Sequence, residues 1–261
     1  MSQSLTDTTL APTFEPDLQD IADYSVNRMR IRMRLAQANS IEDYSHILGD
    51  HLSFGNSKIS KNTAIFNLNS AHGCPNRETQ EEGESDTGLC QVSFSECYAA
   101  KAEKMYKQSL PYRQRQAVIW NSLDPDTFAQ AFKRVVDRKR NSVDSLRLSE
   151  AGDFRTNQDI YKAERIAELL EDIGVDTYTY SASYKLTGWS DTDALTVMES
   201  VTGANYGDAS YDAFATVEDI PENYTHCPHD YQKQQGVEDP VSCGDCRLCV
   251  DGNVDVAITL H

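Results

Sequence analysis

The residues best able to do chemistry in this chain are its seven cysteines, and they fall into two groups. Cys74, Cys90 and Cys97 form the first; Cys227, Cys243, Cys246 and Cys249 form the second, with no cysteine between Cys97 and Cys227. Thiolates are soft ligands that suit zinc and iron–sulfur centres. Four of them complete a closed coordination shell, whereas three leave one position free, as a chemically active metal site requires. The three-plus-four division therefore predicts one open site and one closed site. In the second group, Cys243-x-x-Cys246-x-x-Cys249 makes two consecutive turns that direct thiolates toward one point. His226, His229 and His261 stand nearby as spare ligands. Zinc and an iron–sulfur cluster both accept this set, and spacing does not separate them.

The first group is more widely spaced, with fifteen residues between Cys74 and Cys90 and six between Cys90 and Cys97. Its context is more informative than its spacing. Cys74 directly follows an expected strand and Cys97 opens an expected helix, so a loop after the strand would present three thiolates at one end of a sheet. The alternative is a structural zinc site with His72 as fourth ligand. Seven is also an odd number, which argues against complete pairing into disulfides. The stretch Met1 to Leu18 is polar and lacks the basic and apolar regions of a signal peptide. A cytoplasmic location follows as the expectation, and there thiols serve as metal ligands or catalytic groups more often than as disulfides.

A second constellation is Glu150-Ala-Gly-Asp153, in a strand-to-helix turn. Glu150 and Asp153 are suited to binding the amino or hydroxyl groups of a ligand, and Gly152 permits close backbone approach. Asp153 has a competing reading as a helix cap. Ser181 and Ser183 end a later strand. Tyr178 and Tyr180 share one face of that strand by alternation and suit a core as readily as a pocket lined also by Tyr184.

The elements that must hold these residues are legible from periodicity and turn signals. Residues 1–15 read as a disordered tail and 16–51 as a helical arm: one helix over 17–36 with Ile21, Tyr24 and Met33 among its apolar positions, and a second from Ile41 to Leu48 capped by Ser40. The core, 52–225, has an expected strand at Thr63–Asn69, an acidic loop at 76–89 and helices from Cys97, over Gln114–Asn121 and over Thr127–Arg138, the last capped by Asp126. A strand at Asp144–Ser149, an amphipathic helix at Asn157–Leu170 closed by Gly174, and a strand at Asp176–Ala182 follow. Later strands are expected at Leu195–Val201, Ala213–Val217 and Val254–Leu260, the last within a cysteine-rich segment at 226–261. Strands separated by helices predict an α/β fold: a partial (β/α) barrel-like parallel sheet with an N-terminal helical arm and a C-terminal cysteine-rich metal-binding segment. Ligand sites in such sheets gather at the carboxyl ends of strands, where His72, Cys74, Glu150, Asp153 and Ser181 all fall.

Composition narrows the partners. The chain carries 25 Asp and 16 Glu against 14 Arg and 10 Lys, a net charge of −17. Such a surface repels nucleic acid and anionic membranes. The Arg28–Arg34 run is the one local basic stretch, and on an acidic body it reads as a solvated helix face. No hydrophobic run approaches a membrane span, and the sequence has no Walker loop, G-x-G-x-x-G, H-E-x-x-H or G-x-S-x-G motif. The excess of Asp and scarcity of Lys read as a halophile's surface, with an ordinary acidic bacterial or phage protein as the alternative.

Several of these motifs, in order, resemble the phage "gene product eighty-eight" family, whose function is not established. They are Gly55-Asn-Ser-Lys58, His72-Gly-Cys-Pro75, Cys97-Tyr-Ala99, Arg147-Leu-Ser-Glu-Ala-Gly-Asp-Phe154, Tyr180-Ser181, and Cys243-x-x-Cys246-x-x-Cys249 with a terminal His261. The resemblance spans roughly residues 52–261 and implies a viral or proviral protein; the acidic insertion at 77–88 and the charge point to a haloarchaeal source. The layout also resembles radical S-adenosylmethionine (SAM) enzymes, although the first-strand cysteine spacing is longer than that superfamily's usual one. That resemblance implies an open iron–sulfur cluster on Cys74, Cys90 and Cys97, an auxiliary centre on the C-terminal quartet, and SAM or substrate bound through Glu150, Gly152, Asp153 and Ser181. The substrate, small or macromolecular, is not specified. A zinc-stabilised, non-catalytic binding protein in virus–host interaction is the competing expectation.

If the acidic surface is a salt adaptation, screening relieves its self-repulsion as the Debye length shortens to roughly 3 Å at molar salt. The melting temperature is then expected to climb steadily from low to molar potassium chloride, and a flat profile across that range would contradict the halophilic reading.

Overall fold

In the computed structural model of this chain the described residues are 18–56, 58–75, 97–140, 142–183, 186, 189, 193–202, 212–217 and 219–259. The expected tail at 1–15, the acidic loop at 76–89, Cys90, Tyr184 and His261 lie outside them. Helix α1 covers Leu18–Gln37 and α2 covers Ile41–Gly49. Ser40 caps α2 through a reciprocal box: its hydroxyl accepts from the Asp43 N–H, and the Asp43 carboxylate accepts from the Ser40 N–H. Such a cap stabilises a short helix by about 1 kcal/mol. In α1 the buried positions are Ile31 and Leu35, while Met33 is 54% exposed, so the expected apolar face is rotated. The side chains of Ile21 and Tyr24 are not among those described.

Strand β1 (Ser53–Phe54) leads into β2 (Thr63–Phe66). Three helices follow: α3 (Tyr98–Met105), α4 (Ser109–Ser122) and α5 (Pro125–Asp137). The cap of α5 is Asp124, not the expected Asp126. Pro125 takes the first helical position, where its missing N–H costs nothing, and this moves the start of the helix upstream. Then come β3 (Ser145–Leu148), α6 (Asn157–Glu171), β4 (Asp176–Ser181), β5 (Leu195–Thr202) and β6 (Ala213–Val217). The chain continues through β7 (Thr225–His226), α7 (Pro228–Gln234), α8 (Cys243–Cys246), α9 (Leu248–Asp251) and β8 (Val256–Thr259). Strands β1 and β7 and helices α7 to α9 have no counterpart in the sequence reading. None exceeds seven residues, too short for a periodic signal.

Among the described residues, eight strands join one sheet in the order β1-β2-β3-β4-β5-β6-β8-β7. Strand β1 is antiparallel to β2, and every other pairing is parallel. The fold is thus α/β with a mostly parallel sheet. Alternation divides the side chains between two faces. On one face Ala64, Phe66, Leu146, Leu148 and Leu195 meet residues of α1, α2, α4, α5 and α6 in the main core. Phe66, Trp120 and Phe128 form its aromatic centre, with Phe66 and Phe128 edge to face at 5.1 Å. On the other face Tyr180, Met198, Phe214, Val256 and Ile258 pack with Cys227, Leu248, Cys249 and Val254. The cysteine-rich segment therefore covers the face that the helices leave open. Among the described residues no helix is long and apolar enough to cross a membrane.

Phe128 is fully buried in that aromatic centre. Phe128→Ala is expected to lower unfolding stability by about 3–5 kcal/mol, from lost transfer energy plus a residual cavity. Urea denaturation checks this, and a loss below about 1 kcal/mol would contradict the packing.

Candidate functional site

Parallel pairing of β2 with β3 sets the loops after Phe66 and Leu148 side by side. The Asn67 side-chain oxygen Oδ1 accepts from the Ala151 N–H at 2.6 Å, and its Nδ2 donates to Oε1 of Gln116 at 2.9 Å. Gly152, at φ +75°, lies so close that a Cβ there would stand 2.6–2.7 Å from Asn69. Only glycine combines that φ with that approach. Asn69 in turn donates to the Gly73 carbonyl at 2.6 Å. Through these contacts the His72–Cys74 turn is held against the Glu150–Asp153 turn.

The first cysteine loop is organised by Glu103, a buried carboxylate that the sequence reading missed. It accepts from the Ala71 N–H at 2.8 Å and from Arg113 at 3.0 Å, and meets Nδ1 of His72 at 2.7 Å. Burial alone pushes its pKa up, but hydrogen bonds from His72, Ala71 and Arg113 outweigh that and hold it below the ordinary carboxylate value. The sequence signal was present: Glu103 follows Ala99 and Ala100 at helical spacing, so it sits on the buried stripe of α3. Cys97 stands at the N-cap of α3 and packs with Ala71, Ala99, Ala100 and Ala151. The segments that carry Cys74 and Cys97 are thereby adjacent, with Glu103 bridging them.

Glu150 belongs to the same neighbourhood. Its carboxylate accepts from Asn56 at 3.0 Å and lies 4.0 Å from Arg113, while its carbonyl accepts from the Tyr98 hydroxyl. Asp153 plays a different part. It is buried and accepts from the Ser181 hydroxyl at 2.7 Å, the Ala182 N–H at 2.8 Å and the Phe154 N–H at 2.8 Å, tying the end of β3 to the end of β4. Ser183 adds a bond from its hydroxyl to the Phe154 carbonyl. The helix-cap reading of Asp153 does not hold, because Thr156 caps α6.

The C-terminal quartet is built on short turns. Cys227 is the N-cap of α7, Cys243 and Cys246 bound α8, and Cys249 lies in α9. Arg247, left-handed at φ 56°, turns the chain between α8 and α9. Ion pairs to Asp176 at 2.5 Å and Asp251 at 2.7 Å fix it. The Cys243 N–H donates to the Lys58 carbonyl at 3.0 Å, and Gly244 presses so closely on Ser60 that a Cβ would lie 2.3 Å away. All four cysteines are free thiols. The Cys249 thiol is pushed up to about 12, chiefly by burial and also by the charges of Cys227, Cys243 and Cys246, against a hydrogen bond with Tyr180 that lowers it. Cys243 is also raised by burial, with Lys58 and Arg147 opposing. The four sulfurs are thus close enough to feel one another. The raised Cys243 and Cys249 thiols would ionise more readily beside a cation that supplies the balancing charge.

Of the spare histidines, His226 pairs through Nε2 with the buried Asp230 at 3.0 Å, and His229 meets the Val241 carbonyl through Nδ1 at 2.9 Å. Among the described residues no three His, Cys, Asp or Glu side chains are arranged as they would be around a bound metal ion. Between the two cysteine regions, on the face covered by the C-terminal segment, lie Arg147, Tyr178 and Tyr180. Tyr178 and Tyr180 share that face as alternation requires, 6.1 Å apart, and Tyr180 meets Phe214 edge to face at 4.9 Å.

The buried carboxyl of Asp153 gives a pH signature. Burial raises its pKa to about 6 from 3.8, although its hydrogen bonds pull the other way. The folded state therefore binds more protons than the unfolded state between those values, so this contribution is full below pH 3.8 and is lost as pH rises through about 6. The magnitude is about 3 kcal/mol. In Asp153→Asn the decline across that window is expected to disappear, whatever the offset in overall stability. Denaturation curves at several pH values check it, and an unchanged slope would contradict the assignment.

Comparison with known proteins supports the family resemblance. The family described as gene product 88 matches residues 50–252, well over half of the chain. No curated protein and no solved structure matches. With the match running from just before β1 through α9, the chain belongs to the gene product 88 family.

Proposed function

We propose that this chain is a viral or proviral metalloprotein, an iron–sulfur enzyme resembling radical SAM proteins. Cys74, Cys90 and Cys97 would hold an open cluster, and Cys227, Cys243, Cys246 and Cys249 a second centre. The observation that carries the reading is the gathering of four free cysteines in one segment, with Cys227 and Cys249 packed on one sheet face and Cys227, Cys243 and Cys246 acting electrostatically on Cys249. Thiolates without hard oxygen ligands are a donor set that fits zinc or iron–sulfur. The consecutive parallel order from β2 to β6 supports a partial-barrel reading of the sheet, with the first cysteine loop at a carboxyl strand end.

An iron–sulfur cluster with an open iron supplies one-electron chemistry when bound. The chain's own residues supply position and charge. Glu103 fixes the ring of His72 and ties Ala71 to α3. Glu150, held by Asn56 and close to Arg113, presents a carboxylate beside Tyr98 for the amino or hydroxyl groups of a cofactor or substrate. Gly152, Asp153 and Ser181 set the height of that turn at the strand ends. One observation favours the second reading, a zinc-stabilised binding protein without catalysis. A carboxylate on Nδ1 of a histidine is the usual support for a zinc-ligating ring, and His72 has it from Glu103.

Anaerobic purification of the full chain separates the two. Iron–sulfur occupancy gives brown protein with broad absorption near about 400 nm, from thiolate-to-iron charge transfer. Colourless protein with stoichiometric zinc overturns the enzyme reading. In either case Cys246→Ser is expected to release metal from the quartet and lower the melting temperature, because metal-binding energy is folding energy. Unchanged metal content and melting in that variant would remove the second centre.

A further inference from the structure

Arg147 lies on β3 in register with Tyr178 of β4, on the sheet face that the helices do not cover. Its guanidinium rests over the Tyr180 ring at 4.7 Å. A cation–π contact of this kind does not use up the N–H donors of the guanidinium, which still call for acceptors. Nothing in the described structure fills that role. Nε is shut off from solvent and has no hydrogen-bond partner among the described residues, although the side chain as a whole is half-buried. A charged donor placed this deep without an acceptor is costly.

The acidic and thiol groups nearest Arg147 among the described residues are engaged elsewhere. The Glu150 carboxylate, within electrostatic reach of Arg147, is bonded to Asn56 at 3.0 Å and paired with Arg113 at 4.0 Å. Cys243 has Lys58 as its stronger cationic neighbour, on a turn whose carbonyl also accepts the Cys243 N–H. A second orphan lies just beyond. Ser149, the residue after β3, is buried with a left-handed backbone at φ 59°, and its hydroxyl also has no partner among the described residues. Strain and unpaired polar groups gathered at a strand end mark ligand sites more often than ordinary packing.

We propose that Arg147 is the receptor for an anionic group, a carboxylate or a phosphate, on a small-molecule ligand bound over this sheet face between Glu150 and the cysteine quartet. The planar fork of the guanidinium matches both anions in a bidentate manner, and Tyr180 beneath it holds its place on the sheet face. The inference does not depend on which metal the cysteines hold.

The test uses the full chain as purified under anaerobic conditions, with inorganic phosphate and succinate as separate probes at fixed ionic strength so that screening is constant. Saturable stabilisation is expected with at least one of them, read as a rise in melting temperature and as heat in a calorimetric titration. A response to phosphate alone assigns a phosphoryl group, and a response to succinate alone assigns a carboxylate. Arg147→Met is expected to weaken that binding by roughly 10- to 100-fold, the loss of one charge-assisted contact, with metal content unchanged. No saturable response to either anion in the unaltered protein would overturn the proposal. So would loss of metal from Arg147→Met with anion affinity retained, since Arg147 would then serve the thiolates. Should Arg147→Met fail to fold, Arg147→Lys decides: it keeps the charge but not the fork, so weakened anion binding supports the receptor and full affinity overturns it.

Discussion

A parallel sheet must be covered on both faces, because its crossovers and its strand interiors leave no face suited to water. In this chain the two faces are covered in different ways. Helices α1, α2, α4, α5 and α6 bury one face with ordinary aliphatic and aromatic packing. The other is covered by the stretch from Cys227 to Ile258, in which cysteines take positions where a purely structural cover would use leucine or valine. Helices α8 and α9 have four residues each, far too few to be stable alone. They are held by tertiary contacts: Arg247 to Asp176 and Asp251, Cys243 to the Lys58 carbonyl, and Gly244 against Ser60. A cover so short of apolar mass has a physical use for a metal centre, which would contribute the binding energy that the side chains do not.

Two buried carboxylates at neighbouring strand ends show how local partners decide charge. Glu103 faces Arg113 and His72 and receives a backbone N–H, and its pKa falls below the ordinary value. Asp153 receives hydroxyl and backbone N–H groups that lower its pKa, but burial outweighs them and raises it to about 6. The first is therefore a fixed negative charge that organises the His72 loop. The second is a tie between β3 and β4 whose charge depends on pH. The sequence motif Glu150-Ala-Gly-Asp153 presents two acids as a pair, yet the fold gives them separate duties. Glu150 is turned toward Asn56 and Arg113, and Asp153 toward Ser181 and Ala182.

The Gly55-Asn-Ser-Lys58 segment acquires a role that its composition did not announce. Asn56 bonds Glu150 at one end of the turn, and Lys58 receives the Cys243 N–H at the other. A single tight turn, with Gly55 at φ 62° against the backbone of Ser60, thus links the acidic strand end to the cysteine segment. The two motif regions, some ninety residues apart in sequence, share one support.

Period-two and period-3.6 patterns, with Gly and Pro punctuation, were enough to find α2, α5, α6, β3, β4, β5 and β6 nearly to their ends, because each buries one regular stripe. The α/β class and its mostly parallel sheet followed from their alternation. Grouping of the cysteines, the acidic surface and the family motifs were likewise readable, since they depend only on residue type and order. What the sequence by itself could not determine was decided by contacts between distant segments. The two-residue strands β1 and β7 exist only through pairing, and the rotation of α1 toward Ile31 and Leu35 is set by the core it meets. Glu103 was hidden because its partners, Ala71, His72 and Arg113, lie outside its own helix. Arg147 stood inside a recognised motif, but its isolation on the second sheet face appears only when β4 lays Tyr178 and Tyr180 beside it and Glu150 turns to other partners. A side chain's partners across a sheet are fixed by register and cover, and neither is written in the local sequence.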